Sequence, residues 1–182
     1  MLEIMFVRNA RGDGDVLSQE GEAKCLRAGA ILQEMGFRPD LVVTSNHQRS
    51  LRTGKLIAQG LGTQPRFAEV SQLQPPTPDQ AAYDTEIASM FRELGVERPM
   101  SAYLARDTRG VLLGHAEEVA REIDSKLEGA QKMLIVGHHI MQNLVGIAYA
   151  GRDPILLGPH FAPLTGYWIH EDGFVTGVEL VD

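Results

Sequence analysis

Three apolar runs of strand length each stop abruptly at polar or charged residues, and this repeated pattern constrains the fold more than any other feature of the sequence. The runs cover residues 2–7, 41–44 and 133–137, and they give way to Arg8-Asn9, to Ser45-Asn46-His47-Gln48-Arg49 and to His138-His139, respectively. Nearly continuous apolar runs are typical of strands that are covered on both faces of a parallel sheet. The carboxyl ends of such strands lie at one edge of the sheet, where open α/β folds bind their ligands.

Segments with helical periodicity separate the apolar runs. Ser18 is placed to cap a helix that carries Glu20 and Glu22 in its first turn, and Gly36 is placed to end it. Other predicted elements are helices from about His47 to Gly60, from Gly114 onward and from about Ile140 to Ala150, a strand over Arg66–Val70 and a final hairpin of Gly166–Ile169 with Phe174–Leu180. This alternation predicts a three-layer α/β sandwich with a mostly parallel, doubly wound sheet and an antiparallel edge.

Residues 71–110 break this alternation. The segment 74–78, Gln-Pro-Pro-Thr-Pro, is a rigid connector that cannot be helical. An apolar stripe then predicts one helix, and a looser segment is expected to run to Gly110. The stripe consists of Tyr83, Ile87, Met90, Phe91 and Leu94. We interpret 71–110 as an insertion over the sheet edge, a wall or lid for a pocket, within a single domain that spans residues 1–182.

Composition excludes several classes of partner. A net charge of −7 and a pI of about 5.4 argue against nucleic acid and against an anionic membrane surface, because both require a basic footprint. No apolar run approaches the roughly 20 residues of a membrane span, and the first residues lack the features of a signal peptide. The single cysteine, Cys25, excludes an internal disulfide and suits a reducing compartment, so we expect a cytoplasmic protein.

The three strand ends together predict an anion site. Arg8, Arg49 and His138 would converge at the carboxyl edge of a parallel sheet, beside helix N-termini whose free N–H groups also favour anions. A guanidinium offers five donors in a planar fork that suits phosphate or carboxylate. The simplest guest is a phosphoryl group. No metal is expected, because the histidines and carboxylates lack the spacing of metal ligands.

The order and spacing of these motifs resemble the histidine phosphatase superfamily, which has the phosphoglycerate-mutase-like fold. The family's first strand ends in Arg-His-Gly, and Leu-Ser/Thr-x-x-Gly introduces its first helix. A Ser-x-x-x-Arg segment and a strand that ends in Gly/Ser-His come later. The corresponding segments here are Arg8-Asn9-Ala10, Leu17–Gly21, Ser45 to Arg49 and Gly137-His138. The resemblance extends over nearly the whole chain, and the chain's size and its Gly137-His138 loop are most similar to the short phosphohistidine-phosphatase branch.

The resemblance implies site roles for five residues and a reaction that needs no metal or other cofactor. Arg8, Arg49 and His138 would bind the phosphoryl group, and Asn9 and His139 adjoin them. The family's nucleophile is the histidine that follows the first arginine, and here that position is Asn9. An amide nitrogen is not a nucleophile, because its lone pair is delocalised into the carbonyl, although it can still donate a hydrogen bond. In subtilisin, removal of the nucleophile costs about six orders of magnitude in rate.

Other residues are candidates for the remaining roles. The family's proton donor is usually a carboxylate, for which Glu69 is the nearest candidate and Asp79 the next. His47 adjoins the predicted site and is interpreted as a surface or supporting residue. His115, Glu117, His160 and His170 are interpreted as structural.

Three functional hypotheses follow. The leading one is a degenerate histidine phosphatase that binds a phosphorylated small molecule or phosphoprotein with little or no turnover. The second is an active phosphatase, in which another residue acts as the nucleophile or Asn9 is an engineered substitution. The third is a doubly wound domain without any phosphate role.

Overall fold

A computed structural model describes residues 2–73, 89–90, 93–95 and 98–181 of the chain, without the side chain of His139. The central strand, β1 (Glu3–Arg8), is buried except at its last residue. Its apolar side chains alternate between the two faces of the sheet: Ile4 and Phe6 point to one face, Met5 and Val7 to the other. The strand therefore needs a helical layer on each side, as its sequence predicted.

The main sheet has six strands in the order β5-β4-β6-β1-β7-β8. The strands that follow β1 in this sheet are β4 (Leu41–Thr44), β5 (Arg66–Glu69), β6 (Lys132–Gly137), β7 (Thr165–Ile169) and β8 (Val175–Glu179). The four strands β5, β4, β6 and β1 are parallel, while β7 and β8 form the antiparallel edge. The register pairs Arg8 with Gly137 and Thr44 with Val136, so the three predicted strand ends lie side by side.

The helices form two layers. In chain order they are α1 (Gln19–Glu34), α2 (Gln48–Leu61), α3 (Met100–Arg106), α4 (Val111–Asp124), α5 (His139–Ala150) and the short α6 (Pro154–Leu157). Side chains of α1 and α2 pack in one apolar core with Met5 and Val7, and those of α4 and α5 pack in a second core with Ile4 and Phe6. The three-layer α/β sandwich is therefore present as predicted.

Helices α1 and α2 approach each other closely through glycines. A Cβ atom on Gly29 would lie 2.2 Å from the Ile57 carbonyl oxygen, and one on Gly60 would lie 2.0 Å from the Leu26 carbonyl oxygen. These distances are far below van der Waals contact, so both positions require a residue without a side chain.

Several boundaries differ from the predictions. Helix α4 begins at Val111 rather than Gly114, because the Asp107 carboxylate accepts hydrogen bonds from the backbone N–H groups of Val111 and Leu112 (2.8 and 2.9 Å). The segment expected to be loose contains α3. Ser18 caps α1 as predicted and accepts a hydrogen bond from the Gly21 N–H.

Some segments of the chain were not predicted, and others are not described by the structure. A small hairpin of β2 (Gly12–Asp13) and β3 (Val16–Leu17), which was not predicted, follows β1. The connector 74–78 and most of the helix predicted around Tyr83–Leu94 lie outside the described residues. Within the described residues, no helix combines the length and apolar character needed to cross a membrane.

Candidate functional site

The end of β1 and the first turn of α2, the helix after β4, contribute to one cleft at the carboxyl edge of the sheet. The cleft has a volume of about 370 Å³. Its lining consists of Arg8, Asn9, Ala10, Arg11, Gly12, Arg49 and Pro163. Three guanidinium groups and no described carboxylate therefore surround this space, which makes it strongly attractive to an anion within an acidic protein.

Asn9 connects two of the predicted strand ends. Its side chain is only 4% exposed. In the amide orientation that satisfies both of its polar atoms, Nδ2 donates to the Gly137 carbonyl (3.0 Å) and Oδ1 accepts from Arg49 Nε (2.7 Å). The Asn9 backbone N–H also donates to the Gly137 carbonyl (3.0 Å). Asn9 is thus fixed against β6 and faces the guanidinium of Arg49.

The two predicted arginines are held by backbone carbonyls. Arg8 Nη1 donates to the Phe161 carbonyl (2.8 Å), and Arg49 Nη1 donates to the Gly12 carbonyl (3.4 Å). Arg49 lies in the first turn of α2. Both guanidinium groups are therefore partly ordered before a guest arrives, which lowers the entropic cost of binding.

His138 lies beside the cleft and does not line it. The residue precedes α5 and is 6% exposed. Its Nε2 is 3.3 Å from the Ser45 hydroxyl and 3.4 Å from the Ser50 hydroxyl, and both serines are fully buried. The third predicted strand end thus reaches the site through Gly137, while the imidazole is turned toward two hydroxyl groups.

His47 links the start of α2 to the hairpin of β2 and β3. Its Nδ1 accepts a hydrogen bond from the Arg49 N–H (3.4 Å), and its Nε2 is 2.6 Å from Asp15 Oδ1. Since Nδ1 acts as an acceptor, the ring proton resides on Nε2 and is donated to Asp15. His47 therefore supports Arg49, which agrees with the interpretation of His47 as a supporting residue.

Other candidate residues either do not line the cleft or are not described by the structure. Glu69 ends β5, the edge strand of the parallel part of the sheet, and its side chain is exposed. His139 begins α5, and its side chain is not described; Asp79 lies outside the described residues. His115 is in α4, where burial lowers the pKa of its imidazole. Among the residues that the structure describes, no cluster of three or more histidines, cysteines or carboxylates is arranged to hold a metal ion.

Sequence reasoning missed two contributors to the site. Arg11 lines the cleft, although the sequence offered only its proximity to Arg8 as a signal. Ser50 contacts His138, and its position one residue after Arg49 was the available hint. Both contacts depend on how the loop after β1 and the first turn of α2 are oriented, which local patterns do not specify.

Comparisons with known proteins identify the fold. Neither the protein-family models nor the curated protein sequences give a match. Mycobacterial glucosyl-3-phosphoglycerate phosphatase Rv2419c, solved as a complex with VO3, aligns with a TM-score of 0.64 at 12% identity over 98% of each chain. Phosphoglycerate mutase from Bacillus anthracis str. Sterne aligns with a TM-score of 0.58 at 12% identity over 98% of this chain and 92% of that one.

A third solved structure, assigned as the phosphohistidine phosphatase SixA from Agrobacterium tumefaciens, aligns with a TM-score of 0.52 at 12% identity. The alignment covers 84% of this chain and 79% of that chain. The chain therefore has the phosphoglycerate-mutase-like fold, and that prediction is confirmed.

Proposed function

We propose that this chain is a member of the histidine phosphatase superfamily that binds a phosphorylated ligand with little or no phosphatase turnover. Two independent observations support membership. The fold is phosphoglycerate-mutase-like, and four motifs occur along the sequence in the family's order. The segments are Arg8-Asn9-Ala10, Leu17–Gly21, Ser45 to Arg49 and Gly137-His138.

The cleft suits a phosphoryl group. Arg8 and Arg49 are positioned by backbone carbonyls and line the cleft together with Asn9. Each charge-assisted hydrogen bond to a guest contributes roughly 1.5–3 kcal/mol, so a few of them support useful affinity. We propose phosphate-binding roles for Arg8, Asn9 and Arg49, with His138 and His139 beside them.

We propose little or no turnover because the side chain of Asn9 is an amide. In the family, this position holds the histidine that accepts the phosphoryl group. Here one N–H of the side-chain amide donates to the Gly137 carbonyl, and its oxygen accepts from Arg49 Nε. No lone pair of nucleophilic character faces the cleft from this residue. Glu69 stays the weak candidate for a general acid, with an exposed side chain at the end of β5 that does not line the cleft.

The test compares the wild-type protein with Asn9→His. The Gly137 carbonyl that accepts from Asn9 Nδ2 would accept equally from an imidazole Nδ1–H, which would orient Nε2 toward the arginines. We expect the wild-type protein to hydrolyse para-nitrophenyl phosphate no faster than an Arg49→Ala control. We expect Asn9→His to hydrolyse it at least about 100-fold faster than the wild-type protein. That increase is a small part of the roughly 10⁶-fold rate effect of a nucleophile.

Binding is measured separately, by titrating the wild-type protein with phosphate and vanadate in a calorimeter. We expect saturable binding that Arg49→Ala abolishes. Wild-type turnover well above the Arg49→Ala level, lost again in His138→Ala, would contradict the proposal.

An active phosphohydrolase with a different nucleophile is the second candidate. The observation that favours it is the contact of His138 Nε2 with the Ser45 and Ser50 hydroxyls, because a serine beside a histidine base is the usual arrangement of an activated nucleophile. The full burial of both hydroxyls disfavours it. This function predicts wild-type turnover that Ser45→Ala or Ser50→Ala abolishes while phosphate binding persists.

The proposal also covers the class of ligand, the branch of the superfamily and the cellular location. A phosphorylated small molecule or a phosphoprotein fits the cleft, whereas the net charge of −7 disfavours nucleic acid. We propose a place near the short phosphohistidine-phosphatase branch, on the basis of chain size and the Gly137-His138 loop. We also propose a cytoplasmic location, because the one cysteine, Cys25, is free and buried.

A further inference from the structure

Arg11 is the third guanidinium of the cleft, and its surroundings differ from those of the other two. It lies in the loop after β1, and its side chain is exposed while those of Arg8 and Arg49 are half-buried. All three arginines line the same space. The loop position itself is fixed, because the Arg11 carbonyl accepts a hydrogen bond from the Ser18 N–H (3.3 Å).

The bonding of the three guanidinium groups separates their roles. Arg8 donates to the Phe161 carbonyl, and Arg49 donates to Asn9 Oδ1 and to the Gly12 carbonyl. Across residues 2–73, 89–90, 93–95 and 98–181, the Arg11 guanidinium makes no hydrogen bond or ion pair. All five of its N–H donors are therefore available to a guest.

The space around Arg11 is open on two sides. A second cavity of about 310 Å³ lies between the start of α1 and the segment that leads into β7, and it shares Ala10, Arg11 and Pro163 with the cleft. The other cation that lines this cavity, Lys24, is paired with Glu20 (3.1 Å). Arg11 can therefore change rotamer without displacing packed side chains.

We propose that Arg11 is a further anion-binding residue, which moves onto the guest's phosphoryl oxygens once the cleft is filled. This inference rests on the proposed function of the cleft. Arg8 and Arg49 already spend donors on the protein, so a dianionic guest keeps oxygen lone pairs that these two arginines do not satisfy. A guanidinium without a partner at the open side of the cleft is the group best placed to reach them.

The test uses Arg11→Ala with Arg38→Ala as the matched control. Arg38 is also exposed, and it precedes β4 at the opposite end of the sheet, so its removal changes the net charge equally without touching the cleft. Each protein is titrated with inorganic phosphate and with vanadate at one fixed ionic strength. We expect Arg11→Ala to weaken both affinities about tenfold, because it removes one charge-assisted hydrogen bond whose contribution is reduced by the entropic cost of ordering the side chain. We expect Arg38→Ala to change both affinities less than about twofold.

The outcomes separate the two claims. Equal small effects of the two variants, with wild-type binding intact, would overturn the role of Arg11 and leave the proposed function standing. Absence of phosphate and vanadate binding to the wild-type protein would contradict the proposed function, and the role of Arg11 would fall with it. Urea unfolding of each variant checks that the fold is unchanged, as expected for two exposed side chains.

Discussion

At the scale of single residues, Asn9 is a buried side chain that orders the cleft and carries no nucleophilic atom. The amide makes one hydrogen bond to the strand beside it and one to the cation opposite. Its burial means that each polar atom needs a partner, and each has one. The geometry of the cleft is therefore stable around a group that cannot attack a phosphorus atom.

Asn9→Asp is predicted to weaken anion binding strongly while preserving side-chain size. A carboxylate at this position would pair with Arg49 and repel a dianion, by roughly 4 kcal/mol for two unit charges 4 Å apart at an effective dielectric constant of 20. We expect phosphate affinity to fall at least about 100-fold, which corresponds to about 2.7 kcal/mol. Calorimetric titration measures this loss. Asn46→Asp is the control, because it changes the net charge equally at an exposed residue that does not line the cleft. Unchanged affinity in Asn9→Asp would contradict the placement of the guest beside Asn9.

Cys25 is predicted to be unreactive in the folded protein. Burial raises the pKa of its thiol from the ordinary 9.0 to about 11. The folded state therefore retains the proton at pH values where the unfolded state releases it, so this residue's contribution to stability is present below pH 9 and is lost as the pH rises toward 11. At pH 8 we expect no labelling by a maleimide in the native protein and complete labelling in urea, measured by mass spectrometry. Stoichiometric labelling without denaturant would show that the thiol is accessible.

Sequence patterns predicted residue positions better than side-chain directions. Arg8 and Asn9 lie at the end of β1, and Arg49 lies in the first turn of the helix after β4. These two parallel strands flank β6, so the three residues meet at the same edge of the sheet, and the apolar runs and polar junctions indicate these positions. The turn of His138 toward Ser45 and Ser50 depends on ring orientation, and the exposure of Arg11 depends on the loop after β1. Neither is encoded in local periodicity, so neither was predicted.

At the scale of elements, the contact of α1 with α2 sets where Arg49 lies. Gly29 and Gly60 allow the two helix backbones to approach each other, and α2 carries Arg49 in its first turn. Any side chain at these glycines would move α2 relative to the sheet. The position of Arg49 is thus linked to the packing of two small residues outside the cleft lining.

Gly29→Ala is predicted to destabilise the protein, whereas Gly114→Ala stabilises it. The new methyl group at residue 29 would lie 2.2 Å from the Ile57 carbonyl oxygen, an overpacking that costs about 1–3 kcal/mol. Gly114 lies in α4, and no atom of the described residues lies within 4 Å of the added Cβ, so alanine there contributes about 1 kcal/mol through helix propensity. Urea unfolding measures both changes. Stability gains of equal size in the two variants would show that α1 and α2 are not packed as described.

The elements that sequence analysis found are those with long, uniform patterns. Strands β1, β4 and β6 are almost wholly apolar, and α1 has its cap at Ser18 and its ending glycine at Gly36. The two-residue strands β2 and β3 are too short to give a periodicity. The start of α4 was misplaced because the capping carboxylate comes from Asp107, four residues before the helix begins.

At the scale of the whole molecule, the strand order brings the site together. The strands β4, β6 and β1 are neighbours, although they are far apart in the sequence. Right-handed crossovers restrict the possible orders and do not select one, so periodicity alone did not predict this arrangement. The resemblance to a known family implied it, and the solved structures of the same fold confirm the architecture.

Phosphate is predicted to raise the melting temperature of the protein through the cleft. A ligand present at 100 times its Kd stabilises the folded state by about 2.7 kcal/mol, and each kcal/mol corresponds to about 2–4 °C for a chain of this size. We therefore expect a rise of roughly 5–10 °C in differential scanning calorimetry. Arg49→Ala serves as the control, because phosphate also stabilises proteins generally by exclusion from their surface. A rise of equal size in this variant would place the effect outside the cleft.

The two arginines that we propose as anion ligands come from different layers of the sandwich. Arg8 ends β1 in the central sheet, and Arg49 belongs to α2, which packs on one face of that sheet. An anion that both arginines bind would therefore connect the helix to the central strand, and it would have to dissociate before the two layers could separate. Hydrogen exchange would then slow in α2 and β1 together when the anion is present.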